Sequence, residues 1–147
     1  MNRNRTVMKH LSIALNYLVP IALFAITGCN GDDPDPVEER KGLFTSSPWN
    51  VSTVSQSSVD ISSAFTGATV TFQTNGNYST TIDQTFSDIW PSSGAWSLPS
   101  LDLLVVNGLE MTISSVTEST LSLTFTSPNP AGRTTGIDGD YIMAFTR

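Results

Sequence analysis

The dipeptide Asn75-Gly76 lies between two runs, "ATVTFQT" and "NYSTTID", in which apolar and polar residues alternate. This arrangement limits what the chain can fold into more than any other feature does. A period of two sends successive side chains to opposite faces of a strand. Asn-Gly tolerates the positive φ angles that a tight hairpin turn needs. Val70, Phe72 and Thr74 then share one face, as do Tyr78, Thr80 and Ile82 across the turn. A β-hairpin through the 70s is the expected result.

The same pattern recurs along the chain. "PWNVSTV" places Trp49, Val51 and Thr53 together, and "GAWSL" pairs Trp96 with Leu98. "LDLLVV" is apolar on both faces after Asp102, as in a well-covered strand, and Asn107-Gly108 turns it into "LEMTISSV". "TES" leads into "TLSLTFT", with Leu121, Leu123 and Phe125 inward. A long loop, "SPNPAGRTTGIDG", then precedes "YIMAFTR", where Tyr141, Met143 and Phe145 share a face. "SSVDISSAF" reads equally as a strand or a short helical lid. Helical periodicity is nearly absent. The class is all-β: an antiparallel meander of seven or eight short strands, closed as a small barrel or, alternatively, folded as a β-sandwich.

The first residues follow other rules. Arg3, Arg5 and Lys9 precede a mostly apolar run, Leu11 to Ile26, that ends in Thr27-Gly28-Cys29. A basic start, a short apolar stretch and small residues describe a secretory signal peptide. The run is too short for a membrane span, which needs about 20 apolar residues. Ile26-Thr27-Gly28-Cys29 resembles the lipobox of bacterial lipoproteins. The resemblance implies cleavage before Cys29, a diacylglyceryl thioether on its sulfur and acylation, palmitate included, of the new amino terminus. The competing reading is a chance cysteine after an ordinary signal peptide, or a buried thiol in an N-terminal helix. Cys29 is the only cysteine, so it has no intramolecular disulfide partner.

Three segments follow: a lipoprotein signal peptide over 1–28, an acidic flexible tether over 29–41 and a β-domain over 42–147. The tether sequence "NGDDPDPVEERKG" is dense in Gly, Pro and acid. Its cluster Asp32, Asp33 and Asp35 looks like the surface-export signal that follows the lipid cysteine in Bacteroidota. The expected location is the outer membrane, lipid-anchored, at the cell surface in preference to the periplasmic face. The plainer reading of the cluster is a solvated spacer.

Charge and residue inventory narrow the function. The formal net charge is -6, and after Cys29 only Arg40, Lys41, Arg133 and Arg147 face all thirteen acids. An acidic domain without a basic stripe argues against nucleic acid. The only histidine, His10, lies in the leader, so the remainder lacks imidazole for a triad, a proton shuttle or a zinc site. No enzyme activity, cofactor or metal is expected. Asp138 and Asp140 in "GIDGDY" read as a turn before the last strand, since an EF-hand loop needs further oxygens.

The succession "LFTSSPWNVSTV", "ATVTFQTNGNYS", "SSGAWSLPSLDLLVV", "ISSVTESTLSLTFT" and "DYIMAFTR" resembles the lipocalin-like domains of Bacteroidota lipoproteins. The resemblance implies a binding barrel whose mouth takes a small apolar or amphiphilic ligand. The alternative is an interaction subunit of an outer-membrane or cell-surface complex, touching a protein or glycan through its loops. Trp90, in the turn-rich tract "FSDIWPSSGAW", is expected to be partly exposed. Trp90, Tyr78 and Phe72 form the candidate ligand-contacting set. Trp49 and Trp96 are expected to be structural.

Overall fold

The computed structural model describes residues 33–127 and 138–147. The leader, Cys29, Asp32 and the loop 128–137 lie outside the described residues, and so do the readings that rest on them.

One α-helix, α1 (Pro36–Thr45), precedes nine strands: β1 (Trp49–Gln56), β2 (Val59–Asp60), β3 (Thr69–Phe72), β4 (Asn77–Thr80), β5 (Ser93–Ser100), β6 (Leu103–Val106), β7 (Leu109–Val116), β8 (Thr120–Ser127) and β9 (Gly139–Thr146). Every pairing is antiparallel, in the order β2-β1-β3-β4-β5-β6-β7-β8-β9, with β1 also paired to β9. That last ladder, from Asn50–Thr146 to Gln56–Tyr141, closes eight strands into a barrel and leaves β2 as an extra strand. The fold is therefore a barrel and not a sandwich. The ambiguous segment divides into β2 and a short 3-10 turn at Ser62–Phe65.

Inward positions match the alternation in most strands: Val70 and Phe72, Leu121, Leu123 and Phe125, and Tyr141, Met143 and Phe145 are all buried. Trp49 and Trp96 are core residues, as their strand phase predicts. Three irregularities shift that phase. One falls between Val51 and Thr53, one between Ser97 and Ser100, and one between Ile113 and Ser115. An extra residue in one strand swaps the faces beyond it, so Val54 enters the core and Thr53, expected inward, is exposed.

The Asn75-Gly76 hairpin forms, with a longer loop than the two-residue turn. Gly76 alone takes a positive φ, 82°. The Gln73 amide donates to Asn77 O, and the Asn77 amide donates to the Asn75 side chain at 3.0 Å. Asn107-Gly108 is the tighter turn, with both residues left-handed (φ 49° and 83°).

Helix α1 begins at Pro36, within the segment 29–41 expected as a tether. The Asp35 carboxylate accepts from the Val37 amide at 2.8 Å, Pro36 sits in the first turn, and Glu38 and Glu39 follow it. A side-chain cap, a preset φ and acids at the positive end of the helix dipole together start a helix. Phe44, fully buried, docks that helix. The described unit begins at Asp33, ahead of the expected boundary at residue 42.

Candidate functional site

The barrel has two unlike ends. At one end α1 packs against β3 and β5, close to the start of β1. Phe44 stacks on Trp96 (centroids 5.8 Å) and meets Phe72 edge-on (5.3 Å). The Trp49 indole N–H donates to Phe44 O at 3.1 Å, and Arg40 donates to Leu101 O at 2.6 Å. Arg147 lies 4.0 Å from the Trp49 ring centroid and donates to Leu43 O and Glu118 O. This end is a plug held by charge-assisted bonds to backbone carbonyls.

From the plug a line of aromatic rings runs through the interior. Phe72 meets Tyr78 at 6.4 Å, Tyr78 meets Trp90 edge-on at 5.8 Å, and Trp90 meets Phe145 at 6.3 Å. The expected exposure of Trp90 is overturned: its relative exposure is 0%. The loop between β4 and β5 folds inward and places the indole among rings, and Ile82 and Ile89, which precede it in the same loop, are buried too. Its Nε1 has no hydrogen-bond partner. The Tyr78 hydroxyl donates to Pro91 O at 3.2 Å and accepts from Asn107 Nδ2 at 2.7 Å. Burial pushes its pKa up to about 12, with the Asn107 bond opposing. Trp90, Tyr78 and Phe72 thus fill the barrel as core, and none of the three lines the cleft described next.

The other end is split. β6 and β7 stay paired down to Val106–Leu109, and β8 and β9 down to Ser127–Gly139. Pairing between β7 and β8, however, stops at Thr112–Thr124. Leu109–Met111 and Phe125–Ser127 should face each other and do not pair, so the wall divides into two leaves. At about 3.3 Å per residue the parting runs roughly 10 Å along the strands.

A cleft of about 750 Å³ lies over this parting. Residues from both faces of the wall line it, as a split requires. Leu109, Phe125 and Tyr141 come from the inner face; Leu103, Thr112, Thr124 and Ile142 form a row across the outer face. Glu110, Thr126 and Asp140 complete the rim. Phe125 and Tyr141 stack in parallel (5.1 Å, 2°) as its back wall. The Thr126 hydroxyl donates to Asp140 Oδ1 at 2.7 Å, orienting that carboxylate on the β8 side. Tyr141 is raised to about 12, chiefly by burial and then by the charge of Asp138.

Among the described residues, Ile142, 54% exposed, is one of two large hydrophobic residues that stand out in solvent, the other being Val59. Close packing fixes the β2 side of the split end. Ser57 and Ser58 turn left-handed there, the Ser57 amide donates to Asp140 O at 2.7 Å, and a Cβ on Gly139 would strike the Ser57 side chain. Among the described residues no group of three or more His, Cys, Asp or Glu could hold a metal ion, and no helix is long and apolar enough to cross a membrane.

The sequence signal for the cleft was partial. "LDLLVV" gives an outward Leu103, and "YIMAFTR" an outward Ile142, on positions where a solvated strand carries polar residues. The parting of β7 from β8 leaves no local mark. Comparison with protein families, curated proteins and solved structures finds no match for this chain.

Proposed function

We propose that the chain is an outer-membrane-anchored lipoprotein whose lipocalin-like barrel binds a small apolar or amphiphilic molecule without catalysis. The parting between β7 and β8 carries this reading. An open recess of about 750 Å³, lined by apolar and polar side chains in similar number, has the size of a small-molecule site. It stands in place of the expected contact set Trp90, Tyr78 and Phe72, whose packed rings fill the barrel. The alternative of a partner gripped by an exposed Trp90 loses its support, because Trp90 is buried. Anchoring rests on the lipobox-like Ile26-Thr27-Gly28-Cys29 and surface display on Asp32, Asp33 and Asp35.

Titration with the neutral dye Nile red tests the binding reading. One saturable site is expected, and Thr124→Trp, which fills the middle of the outer row, should abolish it. Absence of saturable binding, or binding indifferent to Thr124→Trp, refutes the cleft as the site. Cys29→Ser should move the protein from the membrane to the soluble fraction; retention at the wild-type level refutes the anchor. Changing Asp32, Asp33 and Asp35 together to Ala should remove protease accessibility on intact cells, and undiminished shaving refutes the export signal.

A further inference from the structure

Among the described residues, the two ends of the barrel differ in charge as well as in shape. The described residues include three cations, Arg40, Lys41 and Arg147, and all three belong to the plugged end. There Arg40 faces Asp102 at 3.9 Å, Lys41 faces Glu38 at 2.5 Å, and Arg147 is bound to backbone carbonyls. At the split end the strands and loops bring together Asp60, Asp83, Asp88, Glu110, Asp138 and Asp140, with no cation among the described residues there.

Within that field two carboxylates stand on the cleft itself, one on each leaf. Glu110 belongs to β7, on the leaf formed with β6, and Asp140 belongs to β9, on the leaf formed with β8. Asp138 lies close enough to Tyr141 in the back wall to act on it electrostatically. Leu103, Leu109, Phe125 and Ile142 put apolar surface on the cleft beside Thr112, Thr124 and Thr126, with one carboxylate on each leaf, a lining complementary to a molecule with an apolar body and a positive head. An anionic amphiphile, such as a fatty acid, would set its carboxylate against both acids.

We infer that the cleft selects cationic amphiphiles, compounds with one ammonium or guanidinium head on an alkyl chain or ring, and rejects anionic ones. This rests on the reading of the cleft as a binding site. The head sits between Glu110 and Asp140, and the apolar part lies on Leu103, Leu109, Phe125 and Ile142. Like-charge exclusion supplies the discrimination, and the apolar contact supplies affinity common to all heads.

Three probes of equal tail length separate the two claims: decyltrimethylammonium, decanoate and the neutral decyl glucoside, each below its micelle concentration. They are titrated calorimetrically into the full chain at low salt. The ammonium probe should bind about tenfold more tightly than decanoate, with the neutral probe between them. The preference should shrink at high salt, where surface charge is screened. Glu110→Gln combined with Asp140→Asn should bring the three affinities together and leave the neutral probe unchanged. Asn still accepts the Thr126 hydroxyl, and Glu110→Gln alone should give a partial effect should the double variant fold poorly. Glu118→Gln, at the plugged end, controls for net charge and should change nothing.

Equal affinity for all three probes in the wild-type protein overturns the charge selection and leaves the cleft standing as a binding site. A preference that Glu118→Gln weakens as much as Glu110→Gln does also overturns it, by tracing the effect to overall charge. Failure of every probe, or binding untouched by Thr124→Trp, overturns the binding reading itself.

Discussion

The plugged and split ends of the barrel are built from the same eight strands, yet they use their side chains in opposite ways. At the plugged end aromatic rings stack or meet edge to face, and the indole and guanidinium donors of Trp49, Trp96, Arg40 and Arg147 find backbone carbonyls. At the split end strands that could pair part instead, and an isoleucine remains in water. Closing the wall there would gain a few ladder hydrogen bonds between β7 and β8. A sequence that forgoes them puts stability at one end and leaves a recess at the other. The contrast teaches that a small barrel can be solid through its centre and still carry a recess, provided the recess lies in the wall and not the lumen.

The comparison predicts that substitutions at the plug and along the ring line lower stability and that substitutions on the cleft do not. Phe44→Ala and Trp90→Ala should each destabilise by about 3–5 kcal/mol, measured by urea unfolding. Trp90→Phe should be much milder than Trp90→Ala, because it keeps a ring while removing an indole N–H that has no partner. A Trp90→Ala change below about 1 kcal/mol would make the ring line a loose filling and erase the contrast.

Alkali gives the next largest effect. Tyr78 and Tyr141 both have folded-state pKa values raised to about 12. The folded protein therefore holds these protons more tightly than the unfolded chain. Their contribution is complete below about pH 10 and is lost as pH rises from there towards about 12, where the folded forms also ionise. The combined loss is on the order of 2 kcal/mol after allowance for residual solvation. Tyr78→Phe should flatten the fall in the unfolding midpoint between pH 9 and 11.5, and an unchanged slope would count against burial of that hydroxyl.

Arg147→Ala removes a cation over Trp49 and two donors to carbonyls at the plug. The side chain is only partly buried, so about 1 kcal/mol is expected. Ile142→Ser at the cleft should shift the unfolding midpoint by less than about 0.5 kcal/mol while weakening Nile red binding. Equal destabilisation by Arg147→Ala and Ile142→Ser would mean that the two ends do not divide the work.

Much of the fold was legible in the sequence, because alternation and Asn-Gly turns are local signals. β3, β4 and β6 to β9 lie where the runs place them. Phase within a strand was less so: the shift near Ser52 that turns Val54 inward depends on how β1 meets β9, far away in sequence. Helix α1 did announce itself through Asp35, Pro36, Glu38 and Glu39, but the same residues also look like a solvated linker when weighed by composition. Trp90 was misplaced for a different reason. Its tract has the Pro, Ser and Asp of an outer loop, and only the open end of a barrel decides that such a loop folds inward. The cleft was the least legible feature, since it arises from pairings that two adjacent strands fail to make.

The ladder between β1 and β9 has a consequence for how the protein comes into being. Asn50 pairs with Thr146, so the first strand of the barrel waits for the last. Until β9 is made and delivered, β1 and β8 present bare edges, the arrangement most prone to pairing with another chain. Contacts so distant along the chain also slow folding, because the intervening loop entropy is lost before the closing contacts form. A ribosome or translocation channel that releases the chain from its N-terminus thus exposes an unfinished sheet for the whole passage. The closing β1–β9 ladder is the step that removes those bare edges.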